Sequence, residues 1–406
     1  MKVFNDFFTA TVTCAPLPEE PEDRPPQLTL AFHFAEWKQQ LLRGMFPDRE
    51  FVFVPIKEAT KEAAKWVAYL AENPRADIFV WGMNSPAYLQ DTARAAYYVE
   101  DGFIRSVGLG SKHTLPFSLS VDQRTPYFNA REQSDLEFII NEYPFVEDSE
   151  IMQRAAVLMD RIVNRKLSKY NHSDTVDLST VYGSKERYRI LVIGQVEDDA
   201  SITYGCTTPF TNTDLVTIAR LENPDAQIIY KPHPDVYHKL RPELSDPAEV
   251  AHLCQILDVD APLDQALEGV DHVYTITSQA GFEALMRGVK VTVLGCPFYA
   301  GWGLADERTP CARRTARRTV LEVFAAAYLL YPVYYDPIYK RDTTPEEAVD
   351  MITALRDLQR RKPKPEPVAE VAETPLRNLL TPIRVEQMWG ASVTGSLTSL
   401  SGDLNA

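Results

Sequence analysis

The stretch "YKPHPD" sets Lys231, His233 and Asp235 on alternate positions with Pro232 and Pro234 between them, directly after the apolar run "AQII". Proline fixes φ, and the residue before it is held extended. The three polar side chains therefore stand on a stiff ribbon at a strand end, where an ammonium and an imidazole can meet a phosphate. A second stretch, "VEDGFIRSVGLGS", ends a strand with the adjacent carboxylates Glu100 and Asp101 and continues through Gly102 to Arg105. A third, "LVIGQVEDDASITYG", places Gln195, Glu197, Asp198, Asp199, Ser201 and Tyr204 after another apolar strand. In the fourth, "YTITSQAGFEALMRG", a strand gives way to a helix that Ser278 can cap. There Gly281 permits close approach to the backbone, the first N–H groups suit an anion, and Glu283 can reach a hydroxyl. Each stretch has an ordinary alternative: a solvated acidic loop, a plain turn, a helix capped only for packing. Their shared place at strand ends, where ligands bind in open α/β sheets, favours a site.

Those strand ends need a scaffold, and the hydrophobic pattern supplies one. From Phe51 onward, "FVFVPI", "ADIFVWG" and "AAYYVEDG" read as strands, with a helix over "KEATKEAAKWVAYLAEN". A helix from Ser149 to Leu167 leads to a second series that starts at "RILVIG". Such alternation implies parallel βαβ units, and 406 residues exceed one ordinary core. The expected fold is α/β, with two Rossmann-type domains facing a central cleft as in a two-Rossmann glycosyltransferase. The expected divisions are 1–185, 186–361 with a closing helix, and 362–406 as a flexible tail. The Pro- and Glu-rich first 25 or so residues carry no clear element.

Composition removes several classes of function. A formal charge of −15 opposes binding to nucleic acid, which needs a basic footprint. Two local basic runs, "ARRTARR" (312–318) and "RDLQRRKPK" (356–364), read as solvated faces; a contact with an anionic membrane is the minority reading. Five cysteines without CxxC spacing fit a reducing cytoplasm and neither a disulfide framework nor a zinc site. The start "MKVFNDFFTATVTC" lacks the apolar core of a secretory leader, and "VFAAAYLLYPVYY" is too short to span a bilayer. The "DVD" at 258–260 follows a helix instead of ending an apolar strand, so it reads as background and no metal is expected.

In this order the clusters resemble the capsular polysaccharide β-Kdo transferases of the KpsC type from Gram-negative bacteria. The resemblance runs through "EDGFIRSVGLG", "LSKYN", "GQVEDDASITYG", "YKPHPDV", "TSQAGFEALMRG" and "PFYAGWGLADER", over roughly residues 77–350. It implies a GT-B fold, with 1–185 on the acceptor side and 186–361 on the nucleotide side, and retaining transfer of Kdo, a 2-keto sugar acid, from CMP-Kdo to a β-Kdo linker on a lipid acceptor. On that basis Asp199 is the expected nucleophile, Glu100 the base, and His233 the group at the departing phosphate. Lys231, His233, Ser278, Gly281 and Glu283 are expected to bind the nucleotide. Asp101, Arg105, Gln195, Asp198, Ser201 and Tyr204 are expected to bind substrate. The resemblance implies no cofactor, a cytoplasmic site of action peripheral to the inner membrane, and capsule assembly proteins as neighbours. Two departures stand out: the family usually carries two such modules in tandem, and Cys206 occupies a position where a small residue is expected. An inverting CMP-sialic-acid-type transferase and a non-catalytic CMP-sugar-binding or glycolipid-binding module remain the alternatives.

Overall fold

The computed structural model describes residues 25–92, 96–171 and 175–361. The start and the tail from Lys362, expected to be flexible, lie outside the described residues. The strands are β1 (Gln27–Phe32), β2 (Arg49–Val54), β3 (Asp77–Trp81), β4 (Ala96–Asp101), β5 (Ser118–Asp122), β6 (Arg189–Ile193), β7 (Gln227–Lys231), β8 (Gln255–Ile256), β9 (His272–Thr275), β10 (Lys290–Val293), β11 (Asp306–Glu307), β12 (Pro332–Asp336) and β13 (Arg341–Asp342). They form a seven-stranded sheet in the order β13-β12-β5-β4-β3-β1-β2 and a six-stranded sheet in the order β11-β10-β9-β6-β7-β8.

The six-stranded sheet is parallel throughout. A parallel strand is covered on both faces, so its sequence reads as a continuous apolar run; "RILVI" of β6 is buried at every position. In the other sheet β1 to β4 are parallel, whereas β5, β12 and β13 are antiparallel to their neighbours. The strands β4, β6, β7 and β9 end at or just before the four chemistry-bearing stretches, as the apolar pattern predicts.

Three features depart from the pattern. Strand β1 and the helix Glu36–Met45 precede Phe51, where the alternation was expected to begin, and β1 sits between β2 and β3. The polar Gln27 and Thr29 hide the strand in the sequence, yet Thr29 is fully buried, its hydroxyl receiving a hydrogen bond from Arg49. The helix expected over 57–73 breaks at Glu62 (φ −113°, ψ 35°) into Glu58–Lys61 and Ala63–Glu72. Finally, β12 lies in the stretch expected to belong to the second half but pairs with β5 of the first sheet. The closing helix Pro345–Arg361 buries Ala348, Val349 and Ile352, and Glu346 reaches Arg154 of the helix Ser149–Asn164 at 3.0 Å.

The basic run 312–318 is only in part a solvated face: Arg313 and Arg317 are exposed, whereas Arg314 is buried and Arg318 half-buried. Arg314 is 7% exposed; its Nε donates to Glu137 at 2.9 Å and its Nη1 to the carbonyls of Pro297 and Ala300. Arg313 shares Glu137, while Arg318 donates to the carbonyls of Ile140 and Asn141, each at 2.7 Å. These arginines tie the loop around Phe298 to the helix Asp135–Glu142. In the second basic run, Arg356 is buried and donates to the carbonyl of Arg165 at 2.6 Å.

An aromatic cluster joins elements of both sheets. Phe103, just past β4, lies 4.6 Å from Phe298 and 4.8 Å from Tyr127, and Phe298 lies 5.2 Å from Phe282 (ring centroids). Beside it, Asp122 at the end of β5 accepts from the backbone N–H groups of Arg124, Thr125 and Asp135 and from the Tyr331 hydroxyl. Burial, with the nearby Asp135 carboxylate adding to it, pushes the Asp122 pKa up to about 8. The folded state therefore holds a proton there that the unfolded chain releases near its ordinary value of 3.8. Stability from this group is complete below that value and is lost as the pH rises through the folded pKa. The melting temperature should fall between pH 5 and pH 8, and less steeply in Asp122→Asn (both pH values roughly bracketing the linkage window). Equal slopes in the two proteins would remove Asp122 as the cause.

Candidate active site

A cleft of about 480 Å³ collects the strand ends of both sheets. Glu100, Asp101 and Tyr127 line it from the seven-stranded side; Gln195, Asp199, Ser201, Tyr204, Lys231, His233, Ser278 and Glu283 line it from the six-stranded side, with Lys169 from the segment between.

Glu100 and Asp101 close β4, and their environments differ. Asp101 accepts from Arg105 Nε at 2.7 Å and from Lys38 Nζ at 3.5 Å. Lys38 in turn lies over the Trp81 ring, 3.0 Å from its centroid. Burial would raise the Asp101 pKa, but Lys38 and Arg105 outweigh it and hold Asp101 below the usual carboxylate range. Glu100 has no such ion pair among the described residues; its Oε1 accepts the Asp101 backbone N–H at 2.9 Å. Burial, and then the Asp101 charge, push its pKa up to about 7. One carboxylate is thus fixed as an anion, while the other can exchange a proton near neutral pH. Arg105, expected at the substrate, is 1% exposed and lies beneath the cleft wall, paired to Asp101 and Ser106.

On the opposite wall the acidic triplet divides its tasks. Glu197 accepts from the backbone N–H of Asn212 at 2.6 Å and from the Ser245 hydroxyl. Asp198 pairs with Arg241 at 2.6 Å. Asp199 caps the helix Ala200–Gly205 by accepting from Ser201 N–H at 2.8 Å, and of the three it alone lines the cleft. Gln195 is locked against Thr277 by two hydrogen bonds, of 2.6 and 3.1 Å, which join the ends of β6 and β9. Cys206 packs its sulfur against Gly295, where a Cβ would stand 2.6 Å from it.

The proline ribbon brings Lys231 and His233 to the cleft, and His233 differs from expectation in charge. His233 is extended (φ −65°, ψ 139°) and caps the helical turn Pro234–Tyr237, its Nδ1 accepting Asp235 N–H at 3.1 Å. That bond places the ring proton on Nε2. Burial pushes the His233 pKa down to about 4, with Lys231 nearby acting in the same direction and Asp235 and Asp199 opposing. His233 is therefore a neutral hydrogen-bond donor at physiological pH and brings no positive charge. Lys231, 7% exposed, ends β7 and lines the cleft; burial lowers its pKa.

Ser278 caps the seven-residue helix Gln279–Leu285 by accepting Ala280 N–H at 3.2 Å. Two residues of this helix depart from their expected places. Gly281 does not line the cleft: its close neighbours are the hydroxyl of Tyr299, which donates to the Ser278 carbonyl at 2.7 Å, and the Thr275 side chain. Glu283 is buried, and its Oε1 accepts the backbone N–H of Lys169 at 3.0 Å, so it secures the Ser168–Asn171 turn. Burial pushes its pKa up to about 7. Among the lining residues absent from the sequence-based assignment, such as Tyr127, the charged one between the walls is Lys169. It stood inside the quoted "LSKYN", but no strand end or helix cap marked it out.

With this geometry, the relatives are informative. The family described as "Capsule polysaccharide biosynthesis protein" matches residues 76–336, and the chain belongs to that family. It is 45% identical over 311 residues to the lipopolysaccharide-processing protein LpsZ of Rhizobium meliloti, a match covering 76% of this chain and 70% of that one. It is 36% identical to the capsule polysaccharide modification protein LipA of Neisseria meningitidis serogroup A over 80% of this chain, and it spans only 45% of that relative. Two solved structures from Thermosulfurimonas dismutans share the fold. The KpsC beta Kdo 2,4 transferase is 31% identical with a TM-score of 0.66, over 80% of this chain and 97% of that one. The KpsC beta Kdo 2,7 transferase is 29% identical with a TM-score of 0.64, over 81% and 100%.

The packing around Gly281 makes a direct test of the helix that carries Ser278 and Glu283. A methyl group there meets the Tyr299 hydroxyl and comes within 3.0 Å of the Thr275 side chain. Overpacking of this kind destabilises by about 1–3 kcal/mol, so Gly281→Ala should melt below wild type in a thermal denaturation scan. An unchanged melting temperature would show that Tyr299 moves freely, against the packing described.

Proposed function

We propose that the protein is a retaining glycosyltransferase of GT-B architecture that moves Kdo from CMP-Kdo to a β-Kdo linker on a lipid acceptor during capsule biosynthesis. The observation that carries this reading is the meeting, in one cleft, of Asp199 from the six-stranded sheet with Glu100 from the seven-stranded sheet, beside Lys231 and His233. The likeness to two KpsC Kdo transferases supports the choice of donor.

In the first step an Asp199 oxygen attacks the anomeric carbon. The bond from that carbon to the phosphate oxygen breaks, and its electron pair leaves with CMP. Lys231 offsets the charge growing on the phosphate and His233 Nε2–H donates to it, an arrangement in which fixed donors stabilise a developing anion. In the second step Glu100 takes the proton of an acceptor hydroxyl, whose oxygen displaces Asp199 from the opposite face. Two inversions give net retention. A base with a pKa near 7 is matched to this task. The lysines and hydrogen-bond donors of the cleft supply the stabilisation that a metal gives in other sugar transferases, so transfer should proceed without one. Among the described residues no helix is long and apolar enough to cross a membrane, and in this reading the lipid acceptor is met at the cytoplasmic surface of the inner membrane.

The test is incubation with CMP-Kdo and a short Kdo-primed lipid acceptor in excess chelator, with CMP-sialic acid in parallel and linkage analysis of the product. The proposal expects β-linked Kdo from CMP-Kdo alone, and a rate that rises as the pH passes through about 7, where Glu100 loses its proton. Turnover of CMP-sialic acid with inversion, or activity restored only by added magnesium or manganese, would contradict it.

A further inference from the structure

We propose that Lys169 is the residue that reads the carboxylate of the donor sugar acid, and so selects acidic donors over neutral nucleotide sugars. The inference rests on the transferase reading above and adds a specificity residue to it.

Lys169 lines the cleft between the two walls. Its ammonium is close enough to interact electrostatically with Tyr127, Tyr170, Asp101 and Glu100, and it also influences His233. Burial opposes its charge, the Asp101 and Glu100 carboxylates favour it, and the net direction is upward from the ordinary lysine value. Asp101 already has two cations of its own, Arg105 at 2.7 Å and Lys38 at 3.5 Å. Among the described residues, Lys169 Nζ makes no hydrogen bond or ion pair; the Tyr170 ring centroid lies 5.7 Å away. A partly enclosed ammonium without a hydrogen-bonding partner is costly unless a ligand supplies one.

The location narrows the ligand. Glu100, Asp101 and Asp199 bring three carboxylates to the same cleft. In a 2-keto sugar acid the carboxyl carbon is bonded directly to the anomeric carbon, so a donor whose anomeric carbon faces Asp199 must carry its own anion into that acidic setting. Without a cation there, repulsion would exclude it. Lys231 belongs to the phosphate, because it ends the strand that leads into His233. Lys169 is the remaining lysine of the cleft, on the side of Glu100. Glu283 holds it in place by its backbone, through the 3.0 Å bond from Lys169 N–H, leaving the ammonium free for the ligand.

The experiment compares KM for CMP-Kdo with Ki for CMP, which lacks the sugar acid, in wild type, Lys169→Met and Lys169→Arg. Loss of a charge-assisted contact predicts a KM raised roughly 10- to 100-fold in Lys169→Met, with Ki for CMP within about threefold of wild type and Lys169→Arg recovering most of the loss. A KM that does not change, or a Ki that rises in step with KM, would overturn the inference. A comparison within wild type needs no variant to fold: free Kdo should compete with CMP-Kdo at least about tenfold better than its neutral methyl ester, and equal competition would also overturn it. Failure of wild type to transfer Kdo at all refutes the transferase reading instead, which separates the two.

Discussion

The ion pair between Asp101 and its two cations is the interaction on which the site depends. Two adjacent carboxylates at the end of a buried strand cannot both be charged cheaply. Arg105 and Lys38 settle which one is, fixing Asp101 as the anion and leaving Glu100 as the group that exchanges a proton near pH 7. Lys38 comes from the helix Glu36–Met45 and rests on Trp81 at the end of β3. The first helix of the described fold therefore reaches the candidate site through a charge it supplies to β4. Arg105, though not in the cleft wall, is a positioning residue by the same argument.

The other wall achieves rigidity by covalent means and by capping. Pro232 and Pro234 hold the His233 backbone extended, and its own ring caps the turn that follows, so imidazole orientation and tautomer are set before any ligand arrives. The Gln195–Thr277 pair fixes the ends of β6 and β9 relative to each other. In the proposed transfer, donors held in this way need little reorganisation as charge develops on the departing phosphate. The aromatic cluster around Phe103, Phe298 and Phe282 lies next to this machinery, and the arginines of 312–318 pin the loop that carries Phe298. Two arginines of a basic run, Arg314 and Arg318, are thus spent largely on backbone carbonyls inside the fold.

Much of the site was legible because its residues follow apolar parallel strands, whose ends the hydrophobic pattern marks. Glu100, Asp199, Lys231 and His233 were all placed that way, and the structure brings them to one cleft. What the sequence hid depends on contacts across long separations. Asp199 caps the helix that follows it, whereas Asp198 is drawn away by Arg241, 43 positions on. The neutrality of His233 follows from burial, which a motif does not display. Lys169 lies on a turn held by Glu283, a residue 114 positions away. The run 312–318 reads as surface in any composition analysis because its acceptors are mostly carbonyls of other segments. Strand β1 carries the polar Gln27 and Thr29 in its first half, so only its pairing with β2 and β3 reveals it.

The central claim is that the two walls act in sequence on one sugar, with Asp199 bonded to it in between. Mass spectrometry of Glu100→Gln after exposure to CMP-Kdo without acceptor tests this directly, since removing the base slows the second step and lets the intermediate accumulate. The account predicts a gain of one Kdo mass, released on the peptide that contains Asp199 and absent in the Glu100→Gln, Asp199→Ala double variant. An unmodified protein that nonetheless releases CMP and forms β-Kdo product, or an adduct on a peptide from the Glu100 wall, would contradict it.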